Sequence, residues 1–284
     1  MGYSHCLLLS NSGDGQESYG ERKQKPPCKK RRFLFSDKMC KISNMNIADI
    51  QKELGIYIRP EKVNDLQRFF KTGKGHYAEG DKFLGVVVPD TRKVARVFKD
   101  APFDILEKLI ASPFHEERML GLLILTEQAK RANEKELKKI TEFYLKNRKG
   151  INNWDLVDVT APKIVGKYLY EKEKLDKKAT DILYTYARSK NLWEKRIAIL
   201  STFYFIREKD FTHALAIALI LKNDPHDLIQ KAVGWMLREV GNRNLAIEEA
   251  FLREHYKTLP RTTLRYATEK FPEKKRLAYL KGEI

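Results

Sequence analysis

Apolar side chains recur at helical spacing along the chain after residue 45, and period-two alternation is almost absent there. Neither an Asn-Gly nor an Asp-Gly hairpin signal interrupts this part of the sequence. The pattern predicts an all-α body. The expected helices lie at 46 to 54, 60 to 71, 90 to 99, 102 to 111, 114 to 131, 134 to 147, 153 to 170, 175 to 189, 192 to 207, 211 to 222, 227 to 240, 245 to 256, 261 to 270 and 273 to 282.

Long helices with related first turns recur at a regular interval. They begin near His115, Trp154 and Trp193, which are 39 residues apart in each case. Further helix starts follow near Asp227 and Arg261, at intervals of about 35 residues. A unit of about 40 residues is typical of HEAT and armadillo helix pairs. We therefore expect a HEAT-like, armadillo-type helical-repeat solenoid with a concave face available to a ligand.

The first 44 residues differ from the rest of the chain. Ser, Gly, Asn and Gln accumulate early, and the basic run from Lys29 to Arg32 follows. This composition predicts a disordered basic tail at residues 1 to 44 and one helical-repeat domain at 45 to 284. The basic run is a candidate nuclear-localisation or nucleic-acid patch, although a solvated linker is the simpler interpretation.

The chain is strongly basic, with 55 Lys and Arg against 38 Asp and Glu and a formal net charge of +17. Such a surplus points toward a polyanion such as nucleic acid, or toward an anionic membrane surface. The longest apolar run, Ala214 to Leu221, has eight residues, whereas a membrane span needs about 20. With no secretory signal pattern at the start, we expect an intracellular protein that neither spans nor enters a membrane.

Several kinds of chemistry find little support. All three cysteines lie in the first forty residues, which argues against a disulfide framework or a zinc finger in the body. The six histidines form no His-x-x-x-His pair, so we predict no metal and no cofactor. The glycine-rich stretch at 73 to 89 lacks a Gly-Lys-Ser/Thr motif, which argues against a phosphate-binding P-loop there.

Helical-wheel positions single out a few polar and aromatic side chains. Asp158 lies one turn after Trp154 on the flank of an apolar stripe, where a carboxylate needs a partner or a task. Arg196 falls inside the apolar arc of its helix. It therefore either pairs with a carboxylate such as Asp158, as a tie between repeats, or reaches a phosphate. Trp235 lies off its helix's apolar stripe, so it either packs on the neighbouring repeat or faces a ligand.

The segment before and after Trp154 also carries structural signals. Asn152 or Asn153 is the simplest N-cap for the helix, and Asp155 in its first turn suits the helix dipole. Pro162 cannot donate a backbone hydrogen bond, so the helix should bend or restart there.

Together these residues resemble a known family. The similarity lies in four ordered segments, namely Phe83 to Val86 with Pro89 and Arg92, Asn153 to Pro162, Trp193 to Ile199, and Ile229 to Glu239. They resemble the AlkD-like DNA glycosylases of bacterial and archaeal alkylation repair, in order and at compatible spacing, over residues 45 to about 272.

The resemblance implies a HEAT-like solenoid that binds duplex DNA on a concave basic face. It also implies base excision repair, in which the enzyme hydrolyses the N-glycosidic bond of cationic alkylated purines such as 3-methyladenine and 7-methylguanine. In this family the lesion is held against the duplex without a deep base pocket. We accordingly expect a monomeric, cytoplasmic, nucleoid-associated enzyme whose partner is alkylated duplex DNA.

The same resemblance implies roles for individual residues. Trp154 and Asp158 match the catalytic tryptophan and aspartate, Arg196 the active-site arginine, and Trp235 the second lesion-facing tryptophan. Further phosphate contacts are predicted at Arg238, Arg261 and Arg265. The family often has an aromatic residue just before the catalytic tryptophan, where this chain has Asn153.

Two other functions fit the same sequence. One is a non-catalytic DNA-binding protein of the same fold. The other is a protein-binding HEAT scaffold whose basic face meets an acidic partner.

Overall fold

The computed structural model describes residues 45 to 284, and the predicted tail at 1 to 44 lies outside the described residues. Those residues form α-helices joined by short connections. The helices are α1 (Ile47–Gly55), α2 (Val63–Phe70), α3 (Val88–Val97), α4 (Phe103–Ile110), α5 (His115–Arg131), α6 (Glu134–Lys146), α7 (Trp154–Ala161), α8 (Lys167–Glu173), α9 (Asp181–Ala187), α10 (Leu192–Arg207), α11 (Thr212–Leu221), α12 (Asp227–Gly241), α13 (Leu245–His255), α14 (Arg261–Ala267) and α15 (Glu273–Lys281).

The helix starts follow from local capping. Asn133 and Glu136 form a reciprocal capping box at the start of α6. Asn191 accepts hydrogen bonds from two backbone N–H groups at the start of α10, and Asn244 accepts one at the start of α13. These caps lie where the sequence places an asparagine just before a run of apolar residues at helical spacing.

The helices are arranged as a succession of pairs. Helices α5, α7, α10, α12 and α14 form a row, which we call the inner row, in which each helix packs on the next. A second, outer row consists of α6, α9, α11 and α13, which lie between successive inner helices in the chain, and of α15, which follows α14; each of them packs on a helix of the inner row. This arrangement confirms the predicted all-α helical-repeat fold. Within residues 45 to 284, no helix combines the length and apolar character that crossing a lipid bilayer requires.

Glycine allows two pairs of inner helices to approach closely. A Cβ atom on Gly166 would lie 2.3 Å from the carbonyl oxygen of Ser201 in α10. On Gly234 of α12 it would lie 2.4 Å from the carbonyl oxygen of Thr263 in α14. The first contact joins the turn after α7 to α10 and the second joins α12 to α14, so both help set the spacing of the inner row.

The predicted irregularity at Pro162 is present. Residues Pro162–Gly166 form a π-helical turn between α7 and α8, which otherwise continue one another. Proline removes a backbone donor at this point, and the wider turn accommodates the gap in the hydrogen-bond ladder.

The prediction differs from the structure most at 175 to 189. There the α-helix covers only Asp181–Ala187, and a 3-10 turn at Lys177–Thr180 precedes it. The Asp176 side chain accepts a hydrogen bond from the backbone N–H of Lys178 and so caps the tighter turn. The polar residues at 176 to 178 supply no apolar face that would favour an earlier α-helical start.

Candidate active site

Two residues predicted to be catalytic lie in the first turns of α7. Asn153 caps this helix by accepting a hydrogen bond of 2.8 Å from the backbone N–H of Trp154. Trp154 is the first residue of the helix, and Asp158 follows one turn later on the same side. Both are buried, with 5% and 2% of their surface exposed. The helix start therefore fixes the indole and the carboxylate in a single rigid element.

Asp158 and Arg196 form a buried bidentate ion pair between α7 and α10. Arg196 Nε donates to Asp158 Oδ1 at 2.8 Å, and its Nη2 donates to Oδ2 at 2.7 Å. Arg196 Nη1 also donates to the carbonyl oxygen of Leu228 in α12. The side chains of Asp158 and Arg196 are only 3% and 1% exposed. Of the two roles that the sequence left open for Arg196, the structure shows the tie between repeats. Contact with a phosphate stays a prediction.

Aromatic side chains surround the Trp154 indole. The Phe70 ring stacks on it at 5.3 Å between centroids, with an interplanar angle of 23°. The Phe69 ring meets it edge-on at 5.8 Å. Phe69 remains 51% exposed although it contacts a buried tryptophan. An exposed aromatic ring at this place extends the apolar surface of the site toward solvent.

Tyr77 is a site residue that the sequence analysis missed. It lies in the glycine-rich loop before α3, and its hydroxyl accepts a hydrogen bond from the Trp154 side chain. Its ring meets the Trp193 ring at 6.2 Å with an interplanar angle of 75°. Burial raises the pKa of Tyr77 above its ordinary value, while the hydrogen bond from Trp154 acts in the opposite direction. The loop thus bridges the starts of α7 and α10.

No local sequence signal identified Tyr77, because its importance comes from contacts with Trp154 and Trp193, which lie 77 and 116 residues further along the chain. Two glycines with positive φ, Gly75 at +78° and Gly80 at +82°, give the loop the turns that bring the tyrosine there.

Trp235, the second tryptophan predicted for the site, is buried in α12. It is 4% exposed and sits in the third turn of α12. Its indole Nε1 donates to Glu239 Oε1 at 3.2 Å, and its ring lies 6.2 Å from that of Phe203 in α10. These contacts show that Trp235 packs on the preceding repeat. A lesion-facing role stays a prediction.

The three predicted phosphate-binding arginines have different environments. Arg238 is 5% exposed and forms an ion pair with Glu269. Arg261 is exposed and donates to the carbonyl oxygen of Leu280 at 2.8 Å. Arg265 is exposed on α14. Arg238 and Arg261 thus have intramolecular partners that a phosphate would have to displace or share.

A cluster of basic side chains surrounds Lys163, which is half-buried in the π-helical turn after α7. Burial, together with the charges of Arg92, Lys130 and Arg207, lowers the pKa of Lys163 to about 8, and Glu127 partly offsets them. Like charges close enough to affect one another's titration create a positive potential that suits a phosphate.

One group of side chains has the composition of a metal site. Glu173, Asp210 and His213 place ligand atoms within 4.8 Å of one another. His213 already contacts Glu173 through Nε2 at 3.0 Å and the Tyr184 hydroxyl through Nδ1 at 2.8 Å. Hydrogen bonding therefore accounts for this group without a metal ion.

A cavity of about 460 Å³ opens beside the start of α7, lined by Asp81, Arg118, Lys146 and Asn152 among others. Trp154, Asp158 and Arg196 do not line it. The cavity is therefore distinct from the residues predicted to be catalytic.

Comparison with known proteins decides the family. The family model described as DNA alkylation repair enzyme matches residues 50 to 271. The chain belongs to this family. Membership supports a function in DNA alkylation repair.

A solved structure shares the fold. It is a predicted DNA alkylation repair enzyme from Enterococcus faecalis, 16% identical, with a TM-score of 0.59 over 76% of this chain and 97% of that chain. Among curated proteins, no significant match was found. At this identity the likeness concerns the fold, while the family model connects the chain to alkylation repair.

Proposed function

We propose that this member of the DNA alkylation repair family is a DNA glycosylase that removes cationic alkylated purines, of the 3-methyladenine and 7-methylguanine type, from duplex DNA. The observation that carries the proposal is the start of α7, where Trp154 and Asp158 lie one turn apart and Asp158 is paired with Arg196. An anionic group beside an indole suits a reaction in which positive charge develops on a sugar.

The reaction needs few protein groups. The alkylated purine carries a positive charge, so when the N-glycosidic bond breaks, the bonding electron pair neutralises the departing base. The deoxyribose becomes oxocarbenium-like. Water then adds to the sugar carbon and loses one proton to solvent. The products are a neutral alkylpurine and an abasic site, and the leaving group requires no general acid.

Asp158 would act by its negative charge. In a buried, low-dielectric position, electrostatic stabilisation of a developing cation is stronger than in water and does not need direct contact. Arg196 fixes both carboxylate oxygens of Asp158 through its charge-assisted bidentate contact. In this proposal Arg196 also lies near the phosphate that flanks the lesion.

Aromatic side chains would supply further stabilisation. Trp154 is proposed to face the sugar, with the contacting side chains of Tyr77 and Trp193 extending the aromatic surface beside it. Trp235 is proposed as a second tryptophan toward the lesion. A cation over an aromatic face is worth about 0.5 to 2 kcal/mol, so these contacts assist the carboxylate and do not replace it.

Duplex DNA is proposed to bind along the inner helices. The basic cluster around Lys163 supports this placement because Lys130 and Arg207 lie on the inner helices α5 and α10, with Arg92 on α3 nearby. Arg196, Arg238, Arg261 and Arg265 are proposed as further phosphate contacts. Phosphate contacts fix the register of a duplex without reading its sequence, as a lesion-searching enzyme requires.

A base-release assay tests the proposal. Duplex DNA treated with a methylating agent is incubated with the protein, and free purines and abasic sites are quantified. We expect release of 3-methyladenine or 7-methylguanine with an equal number of abasic sites. If methylated DNA is bound and no base is released, the glycosylase assignment is wrong.

The near-complete burial of the Asp158–Arg196 pair favours a second candidate function, that of a non-catalytic DNA-binding protein, because a buried ion pair between repeats needs no substrate.

The salt dependence of DNA affinity separates both DNA-binding functions from a protein-binding scaffold. Counterion release predicts a steep fall of DNA affinity as salt is added, and an affinity that hardly changes would favour the scaffold.

A further inference from the structure

His115 lies between two carboxylates that come from different segments of the chain. Its Nδ1 is 3.2 Å from Asp81 Oδ2, and its Nε2 is 2.8 Å from Asp155 Oδ2. His115 opens α5, Asp81 lies in the glycine-rich loop, and Asp155 lies in the first turn of α7. The side chains of all three are at most 6% exposed. We call these three residues the histidine clamp.

The geometry of the histidine clamp indicates the charge of the ring. A neutral imidazole has one N–H donor and one acceptor nitrogen, whereas ionised carboxylates only accept. Both short contacts are therefore hydrogen bonds only when the imidazole carries two protons and a positive charge. Burial alone would lower the pKa of His115, but Asp155 and Asp81 outweigh it and raise the pKa to about 9.

The histidine clamp is connected to the backbone of the candidate active site. Asp81 also accepts a hydrogen bond of 3.2 Å from Asn153 Nδ2. The carbonyl oxygen of the same Asn153 side chain accepts from the backbone N–H of Trp154 at 2.8 Å. Asp155 accepts from the backbone N–H of Leu156 at 2.8 Å. The first turn of α7 is therefore held on both sides of Trp154.

The clamp also supports the Trp154 ring. The imidazole of His115 stacks on Phe83 at 4.7 Å and lies 4.8 Å from the Phe70 ring. Phe70 in turn stacks on the Trp154 indole at 5.3 Å. A change in the position of the imidazole would thus reach Trp154 through one intervening ring.

We propose that His115 is a positioning residue of the candidate active site, where its imidazolium joins the glycine-rich loop to the start of α7 and so fixes Trp154, Asp158 and Tyr77 relative to one another. The inference rests on the glycosylase function proposed above. His115 does not touch the reacting atoms in this proposal. It acts through the loop and the helix that it connects.

The charged groups facing His115 define the pH dependence. They are Asp81 from the loop, Asp155 from α7, and Arg118 from its own helix, which pairs with Asp81. The folded-state pKa of about 9 lies above the ordinary histidine pKa of 6.5. The stabilisation from the clamp is therefore fully present below pH 6.5 and is lost as the pH rises through about 9.

The first test measures the ring itself. In the intact protein, nitrogen NMR of labelled histidine reports whether each ring nitrogen carries a proton. We expect His115 to have two protonated ring nitrogens at pH 7.5 and to titrate near pH 9. A neutral ring at pH 7.5 would overturn the proposal. This measurement does not depend on base excision.

The second test uses His115→Gln, which keeps one amide donor and removes the positive charge. Because misplacement of a reacting group by about 1 Å can slow a reaction about 100-fold, we expect single-turnover excision to fall at least 10-fold, with DNA affinity within about twofold of wild type. His213→Gln is the matched control, since His213 is also buried against a carboxylate, that of Glu173. This control should excise at the wild-type rate.

The outcomes separate the two proposals. If wild type excises and His115→Gln excises equally fast, the positioning role is wrong and the glycosylase function stands. If wild type excises nothing from DNA that it binds, the glycosylase function and the positioning role both fail, and the NMR titration still reports whether the clamp is charged.

If His115→Gln does not fold, the excision rate of wild type is measured between pH 7 and 10 instead of the rate of the variant. That rate should then fall as His115 loses its proton, and a flat profile would contradict the proposal.

Discussion

Asp158 and Arg196 form an ion pair in the interior between two repeats, and this single pair has both a structural and a proposed chemical role. Its two hydrogen bonds of 2.7 and 2.8 Å and the additional bond to the Leu228 carbonyl leave the guanidinium well satisfied. Buried ion pairs of this kind contribute little net stability, but removing one partner leaves an uncompensated charge. Variants at position 158 should therefore differ from variants at position 196 in how much stability and how much activity they lose.

Arg196→Ala should be strongly destabilising, because it leaves the Asp158 carboxylate buried without its cation. We expect the free energy of unfolding to fall by about 3 to 5 kcal/mol, measured by denaturant titration. Arg265→Ala is the matched control, since Arg265 is exposed. It should change stability little and weaken DNA binding. Equal stability of the two variants would show that the pair is not a structural tie.

Glu248 is a second buried carboxyl group, but it lacks a matching cation. It is 1% exposed, and its Oε1 has no hydrogen-bond partner among residues 45 to 284. Burial and the neighbouring Glu249 raise its pKa to about 8, although Arg238 acts in the opposite direction. Because the folded-state pKa exceeds the ordinary glutamate pKa of 4.5, the free energy of unfolding should fall as the pH rises from about 4.5 to 8.

Glu248→Gln should remove this pH dependence. We expect the variant to be more stable than wild type at pH 8, by on the order of 1 to 3 kcal/mol, and to show little gain at pH 4.5. The melting temperature measured at both pH values checks this. Glu254→Gln on the same helix α13, whose side chain is 76% exposed, should shift the melting temperature equally little at both. A gain at pH 4.5 equal to that at pH 8 would contradict the expectation.

Helix α7 has a start that is fixed by hydrogen bonds and an end that is irregular. Asn153 and Asp155 hold its first turn, and the π-helical turn from Pro162 to Gly166 separates it from α8. That turn brings Gly166 against the backbone of α10 and presents Lys163 among other basic side chains. The π-helical turn therefore contributes both to the packing against α10 and to the cluster of positive charge around Lys163.

Gly166→Ala should push α10 away from this turn. The new methyl group would lie 2.3 Å from the Ser201 carbonyl oxygen and 3.0 Å from Tyr204 Cβ, so the backbones must separate. Overpacking of this kind costs about 1 to 3 kcal/mol, which thermal unfolding would detect. Gly55→Ala is the control, because no atom lies within 4 Å of its added Cβ. If both substitutions leave the melting temperature unchanged, the close approach does not set the spacing.

The helices of the inner row could be predicted because their signals are local. Helix α10 begins and ends where its pattern of apolar residues and its Asn191 cap place it, at 192 and 207. The same local reasoning showed that Asp158 and Arg196 each needed a partner. It did not show that each is the other's partner, because the side-chain contact joins residues 38 positions apart.

The histidine clamp could not be predicted for a related reason. Asp81 lies in an irregular loop with no period, and its contacts with His115 and Asn153 span 34 and 72 residues. Tyr77 was missed in the same way. Residues on regular helices reveal their orientation through sequence spacing, whereas residues on loops reveal it only through the folded chain.

At the scale of the whole molecule, the basic excess and the helical repeat point to the same kind of ligand. A net charge of +17 on 284 residues favours a polyanion. The fold brings basic residues from helices far apart in sequence close together, as in the cluster around Lys163. Membership of the DNA alkylation repair family makes DNA the natural polyanion. We propose that chemistry on this DNA depends on the carboxylate of Asp158.

The most direct test compares wild type with Asp158→Asn in single-turnover excision of 7-methylguanine from a defined duplex, with DNA affinity and melting temperature measured on the same samples. Asparagine keeps the shape and a hydrogen-bond acceptor for Arg196 and removes the negative charge. Because loss of one preorganised electrostatic group typically slows a reaction about 100- to 1000-fold, we predict that excision falls by that factor while the variant stays folded and binds DNA. A folded variant that excises at the wild-type rate would contradict the account.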